Sequence, residues 1–469
     1  MAGVEQAIAN LQFVAYEAML FAAIGYLVGG FDDLLVDLLY LLRRLLSWLG
    51  LQDRKRDMPP GPPVVHGPHY FAILVPAWDE AAVIGAMLRT ALARLGDASY
   101  RIYVGAYPND RATIAAISDV AAGDARVVLA IGDRAGPTTK ADCLNTLWQA
   151  LLIDEAAGAP RASAIVLHDA EDLVDAGELR VFAHHLPAAD VVQLPVLPLV
   201  DPASRFVAGH YLDEFAESHA KTQLVRQALG AALPLAGTGF AVRRDMVDRI
   251  AASRGGAPFD PTSLVEDYEL GLTIAAMGGR AVFARAVARP GGAPIAVRAF
   301  FPGTLDAAIR QKARWMLGIA LAGWDRTGWG RTLNPGDHWM RMRDRRALIA
   351  VLVLAAAYLA LALWGVLAVL RWALGLPQPA LPPAVDALLA ANLALLAWRI
   401  AVRMAFVGRA YGRTEALLSV PRIFVANLIA LMAARIALWR YLGLLRGARL
   451  RWDKTAHHFP DGAAIDRVA

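Results

Sequence analysis

The residues best suited to chemistry are carboxylates that follow short apolar runs. Val75-Pro76 leads into Ala77-Trp78-Asp79-Glu80, Ala106 into Tyr107-Pro108-Asn109-Asp110, and Leu167 into His168-Asp169-Ala170-Glu171-Asp172. Carboxylates at i and i+2, as at Asp169 and Glu171, offer the oxygen ligands that hard cations such as Mg²⁺ and Mn²⁺ prefer. His168 beside them would suit zinc, but no second histidine or cysteine stands at ligand spacing. Asp79 and Asp110 serve equally well as helix N-caps. Further on, Gly136 to Asn145 (GPTTKADCLN) reads as a turn opening a helix. The N–H groups of such a start favour phosphate, and Lys140 adds a compact positive charge. Simple capping by Thr138 or Thr139 is the plainer alternative. Asp267, in Val265-Glu266-Asp267-Tyr268, is either a partner for a helix dipole or a base. Arg310-Gln311-Lys312-Ala313-Arg314-Trp315 forms an amphipathic stretch just before an apolar region. No G-x-G-x-x-G fingerprint and no P-loop occurs, which argues against a dinucleotide oxidoreductase or an NTPase.

These groups need a scaffold, and the pattern around them supplies one. Buried strands are expected at 70–76, 100–106, 127–131, 165–169 and 191–195. Helices are expected near 81–95, 111–122, 140–155 and 175–186. Alternation of this kind implies an α/β, mostly parallel, doubly wound sheet. Such sheets bind ligands beyond the carboxyl ends of their strands, where the carboxylates lie.

The whole chain has 469 residues, 57% hydrophobic and 19% charged. That composition excludes intrinsic disorder and argues against a wholly soluble protein. Four stretches are expected: 1–57, with a membrane span near 11–31 and an interfacial helix over 32–48; a large α/β domain at 58–344; a membrane region at 345–445; and a cytoplasmic tail at 446–469. The membrane region holds spans near 347–370 and 385–404. The segment 421–442 is interrupted by Arg422, Asn427, Arg435 and Arg440, so it reads as interfacial. Basic clusters at 43–56, 341–346, 399–413 and 446–454 place the large domain inside and the N-terminus outside. An exposed linker is expected around 54–63. The N-terminus shows no signal peptide. The net charge of +5 is spread thinly and points to no nucleic-acid partner. The single cysteine, Cys143, reads as a buried small hydrophobe.

In order and spacing, the motifs resemble membrane-bound, processive family 2 glycosyltransferases related to cellulose and hyaluronan synthases. The family's Pro-x-x-Asn-Glu is here Pro76 to Glu80. Its Lys-Ala-x-x-Leu-Asn is Lys140 to Asn145. Its Asp-x-Asp is Asp169-Ala170-Glu171, with glutamate in second place. Its Thr-Glu-Asp is Val265-Glu266-Asp267, and its Gln-x-x-Arg-Trp is Gln311 to Trp315. Longer strings such as VPAWDE, LHDAED and TSLVEDYELG resemble a phage-adsorption branch of the family.

The resemblance implies a GT-A (Rossmann-like) fold joined to a helical transmembrane region, in a multi-pass protein of the bacterial inner membrane. It implies an inverting hexosyltransferase that uses a nucleotide-diphosphate sugar, UDP-linked, to extend a growing glycan. Glu80 and Asp110 would then line the base and ribose site. Lys140 would contact the diphosphate, and Asp169 and Glu171 would hold Mg²⁺ or Mn²⁺. Asp267 would be the general base, Gln311 and Arg314 would lie on the donor side, and Trp315 would stack on the acceptor sugar. An outer-membrane export partner for an exopolysaccharide is implied as well. Members of the branch often continue into a cyclic di-GMP-binding domain, which the sequence ending at Ala469 is expected to lack. Two other readings stand beside this one: transfer of a single sugar to a polyprenyl phosphate, and a non-catalytic nucleotide-binding scaffold.

Overall fold

The structure is a computed structural model, and it describes residues 2–51, 69–330, 333–447 and 458–460. The linker expected at 54–63 and most of the tail at 446–469 lie outside the described residues.

Continuous apolar runs form the centre of the large domain. β1 (Phe71–Pro76), β2 (Tyr100–Ala106), β3 (Val127–Ile131) and β4 (Ala164–Leu167) are all parallel to their sheet neighbours in this half. Every residue of β1 and β4 is buried, as expected for strands covered on both faces. β5 (Val191–Gln193), β7 (Phe240–Arg243) and β8 (Ala281–Phe283) complete a seven-stranded sheet of order β3-β2-β1-β4-β7-β5-β8. β7 runs antiparallel to both β4 and β5. β6 (Val196–Pro198) and β9 (Val297–Ala299) pair as a small second sheet. The α/β, mostly parallel expectation holds, and the fourth strand is shorter than expected, so His168 and Asp169 lie beyond its end.

The order explains where a ligand would bind. β1 has β2 on one side and β4 on the other, so the chain switches direction there and a crevice opens at the carboxyl ends of β1 and β4. Because β7 is antiparallel to β4, with Phe240 opposite Leu167, the loop before β7 enters that same crevice.

The helices that follow in the chain cover the sheet. α2 (Ile84–Leu95), α3 (Arg111–Gly123) and α4 (Lys140–Ala156) connect the first four strands, and α5 (Glu178–His185) follows β4. α6 (Gly209–Glu217) and α7 (Gln223–Ala228) flank a π-helical segment, Ser218–Thr222. α8 (Arg244–Ser253) and α9 (Glu266–Ala276) come after β7, and α10 (Leu305–Trp315), α11 (Ala322–Thr327) and α12 (Pro335–Arg345) lead to the apolar region.

Among the described residues, four helices are long and apolar enough to cross a membrane. They lie in α1 (Ala2–Trp48), α13 (Ala347–Ala373), α14 (Pro383–Tyr411) and α15 (Arg413–Leu445). Two expectations change here. Residues 32–48 do not form a separate interfacial helix; they continue α1, whose 47 residues extend about 70 Å against a ~30 Å hydrocarbon core. The acidic residues there are paired: Arg343 and Arg346 bridge Asp32 and Asp33, and Lys221 bridges Asp37. The segment 421–442 belongs to a 33-residue helix with the length and composition of a span. Arg422 and Asn427 of this helix find partners within the protein, whereas Arg435 is exposed. Arg422 is fully buried against Asp213 (3.0 Å) and Glu415, and Asn427 donates to the Tyr358 hydroxyl at 3.2 Å. Small residues let the helices approach: a Cβ on Gly25 of α1 would stand 2.5 Å from Val353 of α13.

Candidate active site

The loops at the crevice are knitted together before any ligand enters. Asp79 N–H donates to Asp110 Oδ2 at 2.5 Å, and Glu80 N–H donates to Thr113 Oγ1 at 3.0 Å. Asp110 also caps α3 by accepting from Thr113 N–H at 3.2 Å. Asn109 exchanges two hydrogen bonds with the Gly136 backbone, at 2.7 and 2.8 Å. Trp78 meets Tyr107 edge-on with ring centroids 5.2 Å apart, and a Cβ on Gly136 would clash with both rings. The Gly136 position therefore fixes how closely the three loops approach. Thr139 caps α4, accepting from Asp142 N–H, as the plainer sequence reading allows.

Lys140, at the start of α4, reaches into an acidic group. Its Nζ lies 2.5 Å from Asp169 Oδ1, 3.0 Å from the Gly237 carbonyl and 3.7 Å from Glu266 Oε1. Asp267, next to Glu266 in the first turn of α9, completes the set. A Cβ on Gly237 would stand 3.1 Å from Asp267 Oδ2 and 3.7 Å from Lys140 Nζ. Gly237 also has φ +80°, a conformation that favours glycine, so the close approach and the turn both require it.

The charges in this group perturb one another. Burial raises the Asp267 carboxyl, Glu266 raises it further, and Lys140 offsets part of this, leaving it at about 7. Burial works against the Lys140 ammonium, but Asp169, Glu266 and Asp267 outweigh it, so the lysine stays charged. A partly buried carboxylate poised near neutrality beside a fixed cation has the character of a general base.

Behind Asp169 sits a second, fully buried group. Asp172 Oδ2 accepts from Asp169 N–H at 2.8 Å and from the Thr238 hydroxyl, and lies 3.1 Å from His168 Nδ1. His168 Nε2 lies 2.9 Å from Glu178 Oε1. With a carboxylate on each ring nitrogen, both nitrogens donate. Burial opposes the charge, but Glu178 and Asp172 raise His168 to about 10, so it is an imidazolium and no metal ligand. Gln193 holds the neighbouring loop: its amide accepts from Ala236 N–H and donates to the Leu194 and Thr238 carbonyls, each at 2.9 Å.

Of the residues expected at the site, Lys140, Asp169 and Asp267 come together, and Glu80 and Asp110 lie in the loops knitted beside them. Glu171 stands in the turn two residues beyond Asp169. Among the described residues, no hydrogen bond joins Gln311, Arg314 or Trp315 to Lys140, Asp169 or Asp267. Trp315 instead joins Tyr211 (6.0 Å) and Phe215 (6.3 Å), with the Lys312 ammonium 4.7 Å above its ring. Sequence reasoning assigned no role to Gln193, Glu178 or Glu266. Gln193 carried a weak signal, a polar residue closing an apolar strand. Cys143 is buried as expected, and burial pushes its thiol up to about 12.

Among the described residues, no three His, Cys, Asp or Glu side chains gather as a closed metal cage. The donor set that is present still fits a hard cation. Asp169 is about one-third exposed at the crevice and offers oxygen, and Mg²⁺ is commonly held by one or two carboxylates with phosphate and water completing its sphere.

A Rossmann-like sheet with acidic residues at its switch point and a carboxylate raised toward neutrality fits the GT-A class of sugar-transferring proteins. A model described as glycosyltransferase-like family 2 matches residues 68–318, more than half of the chain, and the chain belongs to that family. It is 34% identical over 463 residues to bacteriophage adsorption protein B of Escherichia coli K12, and equally to bacteriophage N4 adsorption protein B of E. coli O157:H7. Those alignments cover 92% of this chain and 60% of each relative, so the chain spans about three-fifths of their length. In fold it is similar to the mannosyltransferase PcManGT from Pyrobaculum calidifontis, with a TM-score of 0.54 and 17% identity, covering 89% of this chain and 98% of that one.

Proposed function

We propose that the protein transfers a hexose from a UDP-linked sugar to a growing glycan at the cytoplasmic face of a bacterial inner membrane. One observation carries the reading: Asp267, raised toward neutrality, stands across Gly237 from the Lys140–Asp169 pair. Asp267 takes the proton from the acceptor hydroxyl as that oxygen attacks the anomeric carbon. A single displacement inverts the centre, so an α-linked donor yields a β-linked product. A positioned base of this kind contributes about 10²–10⁴-fold. Lys140 meets the donor diphosphate, and the knitted loops bearing Glu80 and Asp110 frame the nucleoside.

Asp169 and Glu171 would hold Mg²⁺ or Mn²⁺. The ion, when bound, neutralises charge on the departing diphosphate. PcManGT, of similar fold, was solved in complex with GDP-Man and Mn²⁺, which supports a nucleotide sugar and a divalent ion here. Arg314 and Gln311 close the donor side, and Trp315 offers its ring to the acceptor sugar.

The test is a panel of nucleotide sugars supplied to membranes containing the full chain, with Mg²⁺ or Mn²⁺ added. The reading expects one UDP-sugar to be consumed with formation of a saccharide of several residues. Transfer confined to one sugar on an extractable lipid would replace the glycan acceptor by a lipid phosphate. No consumption of any donor would overturn the enzyme reading.

A further inference from the structure

A cavity of about 810 Å³ lies between the large domain and the helices α1 and α14. It shares no lining residue with the Lys140, Asp169 and Asp267 group. Tyr40 and Arg44 come from the late part of α1, and Phe406, Arg409 and Tyr411 from the last turns of α14. These are the helix ends that meet the large domain: Arg43 donates to the Leu224 carbonyl, and Arg399 pairs with Glu217 at 2.8 Å. The cavity thus sits where the apolar helices give way to the polar domain.

Its lining has one sign of charge. Arg44, Arg285, Arg298 and Arg409 line it, and among the described residues no aspartate or glutamate does. Arg298 is occupied, with Asp175 at 3.4 Å and the Ala296 and Pro294 carbonyls at 3.1 Å. Neutral donors accompany the arginines. The Tyr411 hydroxyl is buried and has no hydrogen-bond partner among the described residues. His219 accepts from Val196 N–H at 2.8 Å through Nδ1, so its proton is on Nε2. The rest of the wall is apolar, including Leu197, Leu199, Phe300 and Phe406. Arginine forks match phosphate oxygens, and basic pockets beside membrane helices suit anionic headgroups.

We infer that this cavity binds the phosphate of an anionic membrane lipid, with Arg44 and Arg409 at the phosphate and the acyl chains against α1 and α14. The inference does not rest on the sugar-transfer reading, and its test reads binding alone, so the two fail separately. A free phosphate compound offers the same chemistry without chains, and the test distinguishes it.

The full chain, purified in a non-ionic detergent, is titrated with dioleoyl phosphatidic acid, dioleoyl phosphatidylcholine and inorganic pyrophosphate. Saturable binding of phosphatidic acid is expected, with phosphatidylcholine far weaker. Arg44 and Arg409 are exposed, so Arg44→Gln/Arg409→Gln should keep its gel-filtration profile and melting temperature. It should bind phosphatidic acid about thirtyfold more weakly, the effect of two arginines at a lipid surface. Arg44→Lys/Arg409→Lys should recover most of that loss. Equal binding of the two lipids by the unaltered chain, or undiminished binding of phosphatidic acid by the glutamine variant, would overturn the inference. Binding of pyrophosphate without binding of phosphatidic acid would overturn the lipid assignment.

Discussion

Lys140 Nζ donates to Asp169 Oδ1 at 2.5 Å, tying the start of α4 to the turn after β4. The same ammonium donates to the Gly237 carbonyl and faces Glu266. One cation thereby balances carboxylates from two separate elements.

Removing that cation leaves the acidic group uncompensated. Lys140→Met is expected to destabilise the protein by about 3 kcal/mol, the range for stripping one partner from a buried ion pair. It should also raise the Asp267 carboxyl further, because Lys140 is what opposes Glu266 there. Thermal unfolding of the purified variant checks the first effect. A shift of the acid limb of the kcat/KM profile to higher pH checks the second, alongside a fall of about 10²-fold or more for losing one charged donor at a reacting group.

Gly237 permits a turn and a close approach at once. Gly237→Ala would put a methyl 3.1 Å from Asp267 Oδ2 at a φ of +80°. The backbone term alone costs about 1–3 kcal/mol. The crowding should lower kcat more than it raises donor KM, since the group displaced is Asp267. Steady-state kinetics at varied donor concentration separate the two.

Arg422 lies at 0% exposure between Asp213 and Glu415 and donates to the Arg205 carbonyl. Arg422→Ala would leave Asp213 buried without its paired cation and Glu415 with Arg205 alone. A loss of about 3–5 kcal/mol is expected, together with faster proteolysis in the 205–213 segment, which α15 no longer holds. Limited proteolysis in detergent reads this directly.

His219 gives the fold a pH dependence on the acid side. Burial lowers its pKa to about 3, with Arg285 adding to the effect, against an ordinary 6.5. A histidine depressed in the folded state is stable above its unfolded pKa, and that stability is lost as pH falls. Between pH 6.5 and 5 the loss from this residue is about 2 kcal/mol. His210, lowered to about 4, acts in the same direction. His219→Gln retains an acceptor for Val196 N–H and should flatten part of this acid limb in melting curves recorded from pH 7 to 5. An unchanged limb would place the titration elsewhere.

Local patterns made much of the scaffold legible. FAILVP announces a strand because it is apolar on both faces, YRIYVGA because β-branched and aromatic residues dominate it, and their expected bounds lie within a residue of those found. Asp169 was readable as a candidate because it follows an apolar strand, and Lys140 and Asp267 because each stands at the start of a helix. Their mutual contact was not readable, since it depends on the antiparallel β7 bringing Gly237 beside Asp169. At Arg422 and at Asp32 to Asp37 the helices differ from the reading of the sequence for one physical reason. A charge in an apolar helix suggests an interface unless it has a buried partner, and those partners, Asp213, Lys221 and Arg343, lie more than a hundred residues away.

The role of Asp267 is tested most directly by one comparison. The full chain and its Asp267→Asn variant are supplied with the UDP-sugar that the unaltered chain consumes, and both sugar transfer and UDP binding are measured. The account predicts that transfer falls by about 10²-fold or more while UDP binding stays within a factor of a few. Transfer at the unaltered rate in the variant would contradict it.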